Sequence, residues 1–347
     1  MSEDNNKRAR PSQRVRLQDL AAQCGVSIST ASRAVAGEKG VRPEVRTRLL
    51  AAARALNYAI PSSLAGRRVI VAASEAAMID YVRNQFTVTL LQGLQQRAQV
   101  LGLEIATRSV ATRADEAAVL EEGRSEDSVV GLIFLTLDDE EMLEPVRRFP
   151  KPVVLLNGDD PSMLLSSVAP NNRPAGRLAA DHLVGLGHER ILFLMRCRRR
   201  TIQRRYEGWR DSLVAHAIAP AHDLVLAVDD WTPQLAAAAV RERIESRGLD
   251  FTAILAAGDA LAIGAMLGIQ QSGFSVPRDV SVVGMDDLPQ SAFLNPPLTT
   301  VHLPTREMGA VALDLLRDEL SGVELPARRV ELACHLVERR STAQRPG

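Results

Sequence analysis

The 347-residue chain has little cysteine and no long apolar run. Cys24, Cys197 and Cys334 are odd in number and far apart, so paired metal-ligand spacing is absent and a disulfide framework is not expected. No stretch approaches the roughly 20 apolar residues that span a bilayer. The polar first residues lack the apolar core of a signal peptide. We therefore expect a soluble cytoplasmic protein with no metal and no cofactor.

Aromatic residues are also scarce, at 3% of the chain, which disfavours a nucleobase ligand, and the formal net charge is zero. The neutral average hides an uneven distribution of charge. Residues 1–68 hold 13 Lys+Arg against 5 Asp+Glu, whereas the rest of the chain holds 29 against 37. A basic first segment attracts phosphate, and an acidic remainder keeps DNA away from the rest of the molecule.

Residues 17–35, LQDLAAQCGVSISTASRAV, have the pattern of two short helices joined at a glycine. Gly25 suits the left-handed residue that ends a helix, and Ser27 suits the N-cap of the next. The apolar face of the first helix comprises Leu17, Leu20, Ala21 and Cys24, and that of the second comprises Ala31, Ala34 and Val35. The exposed face of the second helix presents Ile28, Ser29, Ser32 and Arg33. Such a face suits a DNA groove.

An ordinary pair of helices would show the same pattern, so its position matters. A basic segment precedes it, and a third amphipathic helix follows, with Pro43 near its start and Val45, Leu49, Ala52, Ala53 and Leu56 on one side. Three helices around a presented second helix form the minimal DNA-reading module.

After a short connector, apolar runs alternate with amphipathic helices. The predicted strands are 69–73, 103–107, 129–135, 153–156, 191–195, 224–228, 253–256 and 280–283. The predicted helices include 89–101, 173–186, 205–216, 234–247 and 260–272. This alternation indicates parallel sheets with helical crossovers, and about 270 residues are enough for two such lobes. A ligand of such a fold binds beyond the carboxyl ends of the strands, which between two lobes is a cleft.

Six motifs in order make the chain similar to the lactose/galactose repressor (LacI-type) family over nearly its whole length. They are VSISTASRAVAG (26–37), RALNY (54–58), RLAADHLVGLGHERILFL (177–194), RRYEGWRDSL (204–213), VPRDVSVVGMDD (276–287) and PPLTTVHLP (296–304). The resemblance implies an all-α helix-turn-helix head, a hinge, and a periplasmic-binding-protein-like α/β body of two doubly wound lobes. That body would dimerise and bind a small effector between its lobes.

The expected domains follow this plan. They are a disordered basic arm (1–13), the DNA-binding domain (14–58), the hinge (59–68), the body (69–340) and a disordered tail (341–347). Within the body, the N-lobe would comprise about 69–168 plus 301–328, and the C-lobe about 169–300 plus 329–340.

For DNA, the resemblance places Ile28, Ser29 and Arg33 at base edges and Thr30 and Ser32 toward phosphates. Ile28 could instead pack against a helix. Leu64 matches the hinge leucine that wedges into the minor groove. The stretch from Tyr58 to Leu64 is about three residues shorter than in the family, and its Pro-Asn pair reads Pro61-Ser62, which puts the hinge helix in question.

For the effector, the resemblance points to polar or aromatic residues that follow strands. Arg205 would hold hydroxyls or carboxylates, Asp286 would accept sugar hydroxyls, and Trp231 would stack on the ligand. Asp259, Asn157 and Thr136 are further candidates. Asp259 follows Gly258, where the family usually has asparagine. Each of these residues could instead be a helix cap or a loop residue.

Four arginines crowd the loop after the strand at 191–195: Arg196, Arg198, Arg199 and Arg200. They indicate either a solvated surface or an electropositive cleft mouth that selects an anionic sugar, with Arg196 in contact with it.

Two other functions fit the sequence less well. An enzyme lacks support, because Gly185-Leu186-Gly187 precedes a strand where a phosphate loop would follow one, and no catalytic set of Ser, His and Asp is evident. A secreted sugar-binding protein would need a signal peptide and no basic head. The sequence therefore predicts a homodimeric regulator that binds a pseudo-palindromic operator and responds to a carbohydrate effector. We expect a repressor, with an activator or a plain binding protein as the alternative.

Overall fold

The computed structural model describes residues 17–35, 40–55, 64–75, 81–137, 139–197, 199–321 and 325–345. Its strands are β1 (Arg68–Ser74), β2 (Glu104–Val110), β3 (Val129–Leu135), β4 (Val153–Leu156), β5 (Ser166–Pro170), β6 (Ile191–Arg196), β7 (Val225–Val228), β8 (Ala253–Ala256), β9 (Ser281–Asp286), β10 (Thr299–His302), β11 (Arg329–Leu332) and β12 (His335–Val337). Its α-helices are α1 (Leu17–Gln23), α2 (Ile28–Val35), α3 (Pro43–Ala55), α4 (Tyr81–Leu101), α5 (Arg113–Ser125), α6 (Glu140–Arg147), α7 (Asn172–Gly185), α8 (Arg200–Ala215), α9 (Pro233–Arg247), α10 (Asp259–Gln271) and α11 (Thr305–Glu319).

The first unit contains α1, α2 and α3 around a small apolar core. Leu20, Ala31 and Leu49, one from each helix, are fully buried. Gly25 has φ +61°, so the residue that ends α1 has the left-handed conformation that its sequence predicts. Arg48 ties α3 to α1, because its Nη2 donates to the Cys24 carbonyl at 3.1 Å. The three-helix head is therefore confirmed.

The body contains two six-stranded sheets with matching strand order. The N-lobe sheet runs β11-β5-β4-β3-β1-β2, and the C-lobe sheet runs β12-β10-β9-β8-β6-β7. Every neighbouring pair is parallel except β10 and β12, which are antiparallel. The core strands of both lobes are continuous buried runs, such as β3 and β8, because helices cover parallel sheets on both faces. The predicted pair of α/β lobes is confirmed.

The chain passes between the lobes at three points. From β5 it enters α7, which packs on the C-lobe strands, and from β10 it enters α11, which packs on β4 and β5 of the N-lobe. The third passage separates β11 from β12. The C-lobe segment predicted to begin at residue 329 is corrected here, because β11 pairs with β5 in the N-lobe sheet. The return to the C-lobe falls at residues 333–334, between the two short strands.

The expectation of a disordered tail from residue 341 is also wrong for residues 341–345. Ser341 is fully buried, its Oγ donates to the Val282 carbonyl at 2.5 Å, and it accepts from the Thr299 amide at 2.8 Å. The Ala343 amide donates to Ser281 Oγ at 3.0 Å. Short polar side chains that satisfy buried backbone groups hold this segment on the C-lobe.

Within the described ranges, no helix combines the length and apolar character that crossing a membrane requires.

Candidate functional site

The helix α2 presents a polar face, as its sequence predicts. Ser27 caps it, since its Oγ accepts from the Thr30 amide at 3.1 Å. Ala31 and Ala34 point into the head, whereas Ile28 is 54% exposed and Ser29, Ser32 and Arg33 are exposed as well. Because Ile28 is the first residue of α2 and stands in solvent, it does not fill the core of the head.

Three of the predicted DNA-binding residues, Thr30, Arg33 and Leu64, have local contacts of their own. The hydroxyl of Thr30 lies 2.8 Å from that of Ser27 at the helix cap. The guanidinium of Arg33 lies over Gly40, where a Cβ would stand 2.8 Å from Arg33 Nη2, so the glycine gives the arginine room. Leu64 is half-buried and begins a turn, in which the Arg67 amide donates a hydrogen bond to the Leu64 carbonyl at 2.9 Å. Leu64 belongs to the hinge expected at residues 59–68, of which residues 59–63 lie outside the described part of the chain.

In the body, Arg205 lies at the carboxyl edge of the C-lobe sheet and is only 4% exposed. It projects from α8, which crosses α7 so closely that Gly176 and Gly208 admit no side chain. Its Nε donates to Asn172 Oδ1 at 2.8 Å and its Nη1 to the Ala257 carbonyl at 2.6 Å. Burial lowers the pKa of this guanidinium, and the nearby Asp286 opposes that shift.

Asp286 ends β9 and faces Arg205, with 3.6 Å between Arg205 Nη1 and Asp286 Oδ1. The other oxygen, Oδ2, accepts a long 3.4 Å hydrogen bond from the Asp259 amide. Burial raises the pKa of Asp286 to about 7, an effect that Arg205 counteracts and the Asp259 carboxylate reinforces. The residue has φ +131°, in the region that side chains rarely adopt, so the chain bends sharply as it leaves the strand.

Trp231 lies beside Asp286, in the space that the absence of a side chain at Gly258 leaves free. A Cβ on Gly258 would stand 3.0 Å from Trp231 Cζ3 and 3.3 Å from Asp286 Oδ2. The glycine at position 258 therefore makes room for an indole ring. We call Arg205, Asp286, Asn172 and Trp231 the Arg205 cluster.

Asp259 differs from Asp286 although both follow neighbouring strands. It is fully buried, Oδ1 accepts from Thr300 Oγ1 at 2.6 Å, and Oδ2 accepts from Ser291 Oγ at 2.6 Å and from the Leu288 amide at 2.9 Å. Burial raises its pKa while these donors lower it. That Asp259 binds the effector stays a prediction, and both of its oxygens already accept hydrogen bonds that hold the loop after β9 in place.

The N-lobe candidates Thr136 and Asn157 follow β3 and β4, as expected. Both have left-handed backbones, with φ +59° and +55°. Asn157 is 4% exposed, and its Oδ1 has no hydrogen-bond partner within the described part of the chain. A buried amide oxygen without a partner is costly, so Asn157 is suited to accept from a ligand.

The arginine-rich loop contacts protein groups. Arg196 Nε donates to the Asp229 carbonyl at 3.0 Å and lies 3.8 Å from Asp230. Arg199 Nη2 donates to the Asn157 carbonyl, which joins the two lobes. Arg200 makes an ion pair with Asp159 of the N-lobe, with 3.1 Å between Arg200 Nε and Asp159 Oδ2. Arg198 lies outside the described residues.

Three groups of these contacts were not predicted from the sequence: Asn172, the Ala257 carbonyl and Asp159. Asn172 begins a helix directly after a strand, and Asp159 follows β4 by three residues, so the rule that linked strand ends to the cleft applied to both. Every residue has a backbone carbonyl, so the sequence does not indicate that the one at Ala257 contacts Arg205.

Together, the C-lobe edge offers a desolvated guanidinium, a carboxylate with spare acceptor capacity and an aromatic ring. This set can bind a molecule that has hydroxyl groups on its edge and an apolar face. Among the described residues, no three His, Cys, Asp or Glu side chains are grouped so as to hold a metal ion.

Comparison with known proteins supports both halves of this description. Residues 16–61 match the model of bacterial regulatory proteins, lacI family, and residues 180–342 match the periplasmic binding protein-like domain. Among curated proteins, the chain is 34% identical over 350 residues to the HTH-type transcriptional regulator MalR of Streptomyces coelicolor, covering 96% of this chain and 98% of the relative. It is 29% identical to the ribose operon repressor of Escherichia coli, covering 94% and 99%.

Two solved structures are similar over the same extent. The complex of the transcriptional regulator CelR with cellobiose has a TM-score of 0.72 at 28% identity, covering 94% of this chain and 100% of that one. The lac repressor dimer bound to operator and an anti-inducer has a TM-score of 0.70 at 29% identity, covering 95% and 100%.

A helix-turn-helix head and a two-lobed periplasmic-binding-protein-like body define the class, a DNA-binding transcription regulator and not an enzyme. Within that class, the chain belongs to the lacI family of bacterial regulatory proteins.

Proposed function

We propose that this protein is a homodimeric repressor in the cytoplasm that binds a pseudo-palindromic operator and is controlled by a carbohydrate in the cleft of the body. The observation that carries the effector proposal is the Arg205 cluster. Arg205 and Asp286 can bind hydroxyl groups on the edge of a pyranose, and the Trp231 ring offers a surface for its apolar face. The solved complex of a related regulator with cellobiose supports the same class of ligand.

The effector test is a thermal-shift and tryptophan-fluorescence screen of the full-length protein. The panel contains cellobiose, other neutral disaccharides, neutral hexoses and their 6-phosphates. We expect a neutral sugar to raise the melting temperature and to change the emission of Trp231, the half-buried one of the two tryptophans. Trp231→Phe assigns the signal, because the other tryptophan, Trp209, is fully buried against Phe193 and Tyr206. A sugar that binds without affecting Trp231 would place the effector elsewhere.

An anionic sugar is the second candidate, because arginines crowd the C-lobe loop. Arg196, Arg199 and Arg200 donate to protein carboxylates or carbonyls, which favours a neutral ligand. The neutral and phosphorylated partners of the panel separate the two. Tighter binding of the phosphorylated sugar would favour the anionic effector.

For DNA, we propose that Ile28, Ser29 and Arg33 contact base edges and that Thr30 and Ser32 contact phosphates. The supporting observations are the exposed polar face of α2 and the net positive charge of residues 1–68. Leu64 remains a proposed minor-groove contact. A bidentate contact from arginine to guanine discriminates by roughly 1–3 kcal/mol.

The DNA test uses a fluorescent duplex that the protein itself selects from a random library. Arg33→Ala should weaken binding to the selected duplex about 5- to 100-fold while leaving binding to a scrambled duplex nearly unchanged. Arg241→Ala, the same change on the exposed face of α9, is the matched control. An equal loss of affinity for both duplexes would indicate that Arg33 contacts a phosphate and not a base edge.

Dimerisation fits exposed apolar side chains on the C-lobe. Leu235 of α9 is 43% exposed and Leu267 of the adjoining α10 is 39% exposed, and Phe293 is 88% exposed. Such side chains on neighbouring elements are typical of an interface. Phe293→Glu should therefore shift the sedimentation of the protein toward the monomer.

Repression is favoured because binding over a promoter blocks polymerase without a further contact. Run-off transcription with and without the protein tests this proposal.

A further inference from the structure

Asp159 lies in the loop between β4 and β5 of the N-lobe and is surrounded by arginines. Its side chain is 3% exposed. Oδ2 lies 3.1 Å from Arg200 Nε and 3.3 Å from Arg204 Nη2, and Oδ1 lies 2.8 Å from Arg329 Nη1. We call these four residues the Asp159 cluster.

The members of this cluster come from different lobes. Arg200 and Arg204 lie in the first two turns of α8, which belongs to the C-lobe, whereas Arg329 begins β11 in the N-lobe sheet. The cluster therefore crosses the opening between the lobes. A second contact crosses there too, because Arg199 donates to the carbonyl of Asn157, two residues before Asp159.

The loop that presents Asp159 has a fixed shape. The next residue, Asp160, accepts hydrogen bonds from the amides of Ser162, Leu164 and Leu165. Arg147, whose side chain is 7% exposed, makes an ion pair with Asp160, with 2.6 Å between Arg147 Nη2 and Asp160 Oδ1. A carboxylate on such a loop need not be reordered when the lobes meet, so little conformational entropy opposes the contact.

The charges make this contact depend on the position of the lobes. A buried carboxylate is costly unless ion pairs and hydrogen bonds compensate it, and two of its three guanidinium partners are on the other lobe. Moving the lobes apart would leave Asp159 with Arg329, which also pairs with Glu331 at 2.6 Å.

We propose that Asp159 is an ionic latch that holds the two lobes together through Arg200 and Arg204. The latch stabilises this arrangement of the lobes before any sugar contributes. In combination with the proposed function, on which this consequence rests, it lowers the effector concentration that is needed to keep the cleft closed.

The test measures the distance between the lobes in the full-length protein, with no DNA and no sugar. Spin labels are placed at Glu121→Cys on α5 and Val214→Cys on α8, both exposed, in a background with Cys197→Ser and Cys334→Ser. An excess of unlabelled protein ensures that each pair reports on one chain. Double electron–electron resonance gives the distance distribution for the latch-intact protein, Asp159→Asn, Arg200→Gln/Arg204→Gln and the combination of all three changes.

We expect Asp159→Asn to raise the population at longer distance on the order of tenfold. The double arginine variant should do the same, and adding Asp159→Asn to it should change little more. Asp314→Asn is the matched control, since it breaks the ion pair with Arg97 inside the N-lobe and should leave the distances unchanged.

Two results would overturn the latch. One is an Asp159→Asn distribution that coincides with that of the latch-intact protein. The other is an undiminished effect of Asp159→Asn when Arg200 and Arg204 are already replaced, which would assign Asp159 to the N-lobe interior through Arg329. If Asp159→Asn fails to fold, the double arginine variant decides alone, because its side chains are 48% and 27% exposed. A missing sugar response would count against the proposed function and not against the latch.

Discussion

The Asp159 cluster and the Arg205 cluster both place a carboxylate at the carboxyl edge of a parallel sheet, but they satisfy it differently. Asp159 contacts three guanidinium groups within 3.3 Å. From the residues that the structure describes, Asp286 has one guanidinium at 3.6 Å and one long hydrogen bond. A carboxylate whose oxygens are all paired with protein cations stabilises contacts within the protein. A carboxylate that can still accept hydrogen bonds beside a desolvated cation is suited to bind a ligand.

Replacing Arg205 should have the largest effect. Arg205→Met leaves Asn172 Oδ1 and the Ala257 carbonyl without their donor and leaves Asp286 without its cation. We therefore expect the sugar-induced melting shift to disappear and the free energy of unfolding to fall by about 3 kcal/mol. Arg210→Met on the exposed side of the same helix is the control. Titration of both variants with the sugar that binds the wild type checks this. An intact response in Arg205→Met would remove the Arg205 cluster from the effector site.

The second prediction concerns pH and the ionisation of Asp286. Its pKa is raised to about 7, so the carboxylate is mostly protonated at pH 6 and mostly ionised at pH 8. The ionised form accepts hydroxyl hydrogen bonds better, so sugar affinity should rise about tenfold from pH 6 to pH 8. Calorimetry across this range measures it, with Asp286→Asn expected to give weak binding that does not vary with pH. Stronger binding by the wild type at pH 6 would contradict this role.

Gly258→Ala should have a moderate effect on the same cluster. The new methyl group would press on the Trp231 ring at 3.0 Å and on Asp286 at 3.3 Å, so one of them must move. We expect sugar affinity to fall about five- to tenfold and Trp231 emission to shift, at the low end of the roughly 1–3 kcal/mol that overpacking costs. Gly185→Ala, which meets open space, is the control. Unchanged emission and affinity would show that the indole need not occupy this space.

The smallest effect is expected for Arg329→Gln. Arg329 pairs with Asp159 from the same lobe and is 34% exposed, so its loss should reduce the free energy of unfolding by only about 0.5 kcal/mol. The distance between the lobes should stay unchanged. Urea unfolding and the spin-label pair measure both quantities. A widening as large as that of Asp159→Asn would make the Asp159 cluster a support of the N-lobe.

Local patterns predicted much of the fold. The runs at 129–135, 153–156 and 253–256 match β3, β4 and β8 residue for residue, because strands buried on both faces are continuously apolar. The strands β5, β10, β11 and β12 were missed. They are short, and β11 alternates in burial like a surface segment, so pairing with a distant strand defines them. The helices α5, α6 and α11 were not among the helices named from the sequence either, although Thr112 caps α5 and Asp139 caps α6.

The candidate site was predictable only in part, and Asp259 and Asp286 show why. Both acidic residues follow or end a strand at the same edge, so sequence position alone assigns them the same role. Ser291 and Thr300, more than 30 residues further along the chain, donate hydrogen bonds to the buried Asp259, whereas no such donor was evident for Asp286 from its position in the sequence. The arginine-rich loop had two open interpretations, and its partners Asn157 and Asp159 lie on the other lobe.

The sequence by itself determined the head, the two α/β lobes and the family, because helix caps, apolar periodicity and buried runs act over a few residues. Only the tertiary structure decided which charged side chains pair with other protein groups and which are able to bind a ligand. Burial and pairing set the state of each carboxylate, and both depend on side chains that the fold brings together from distant parts of the chain.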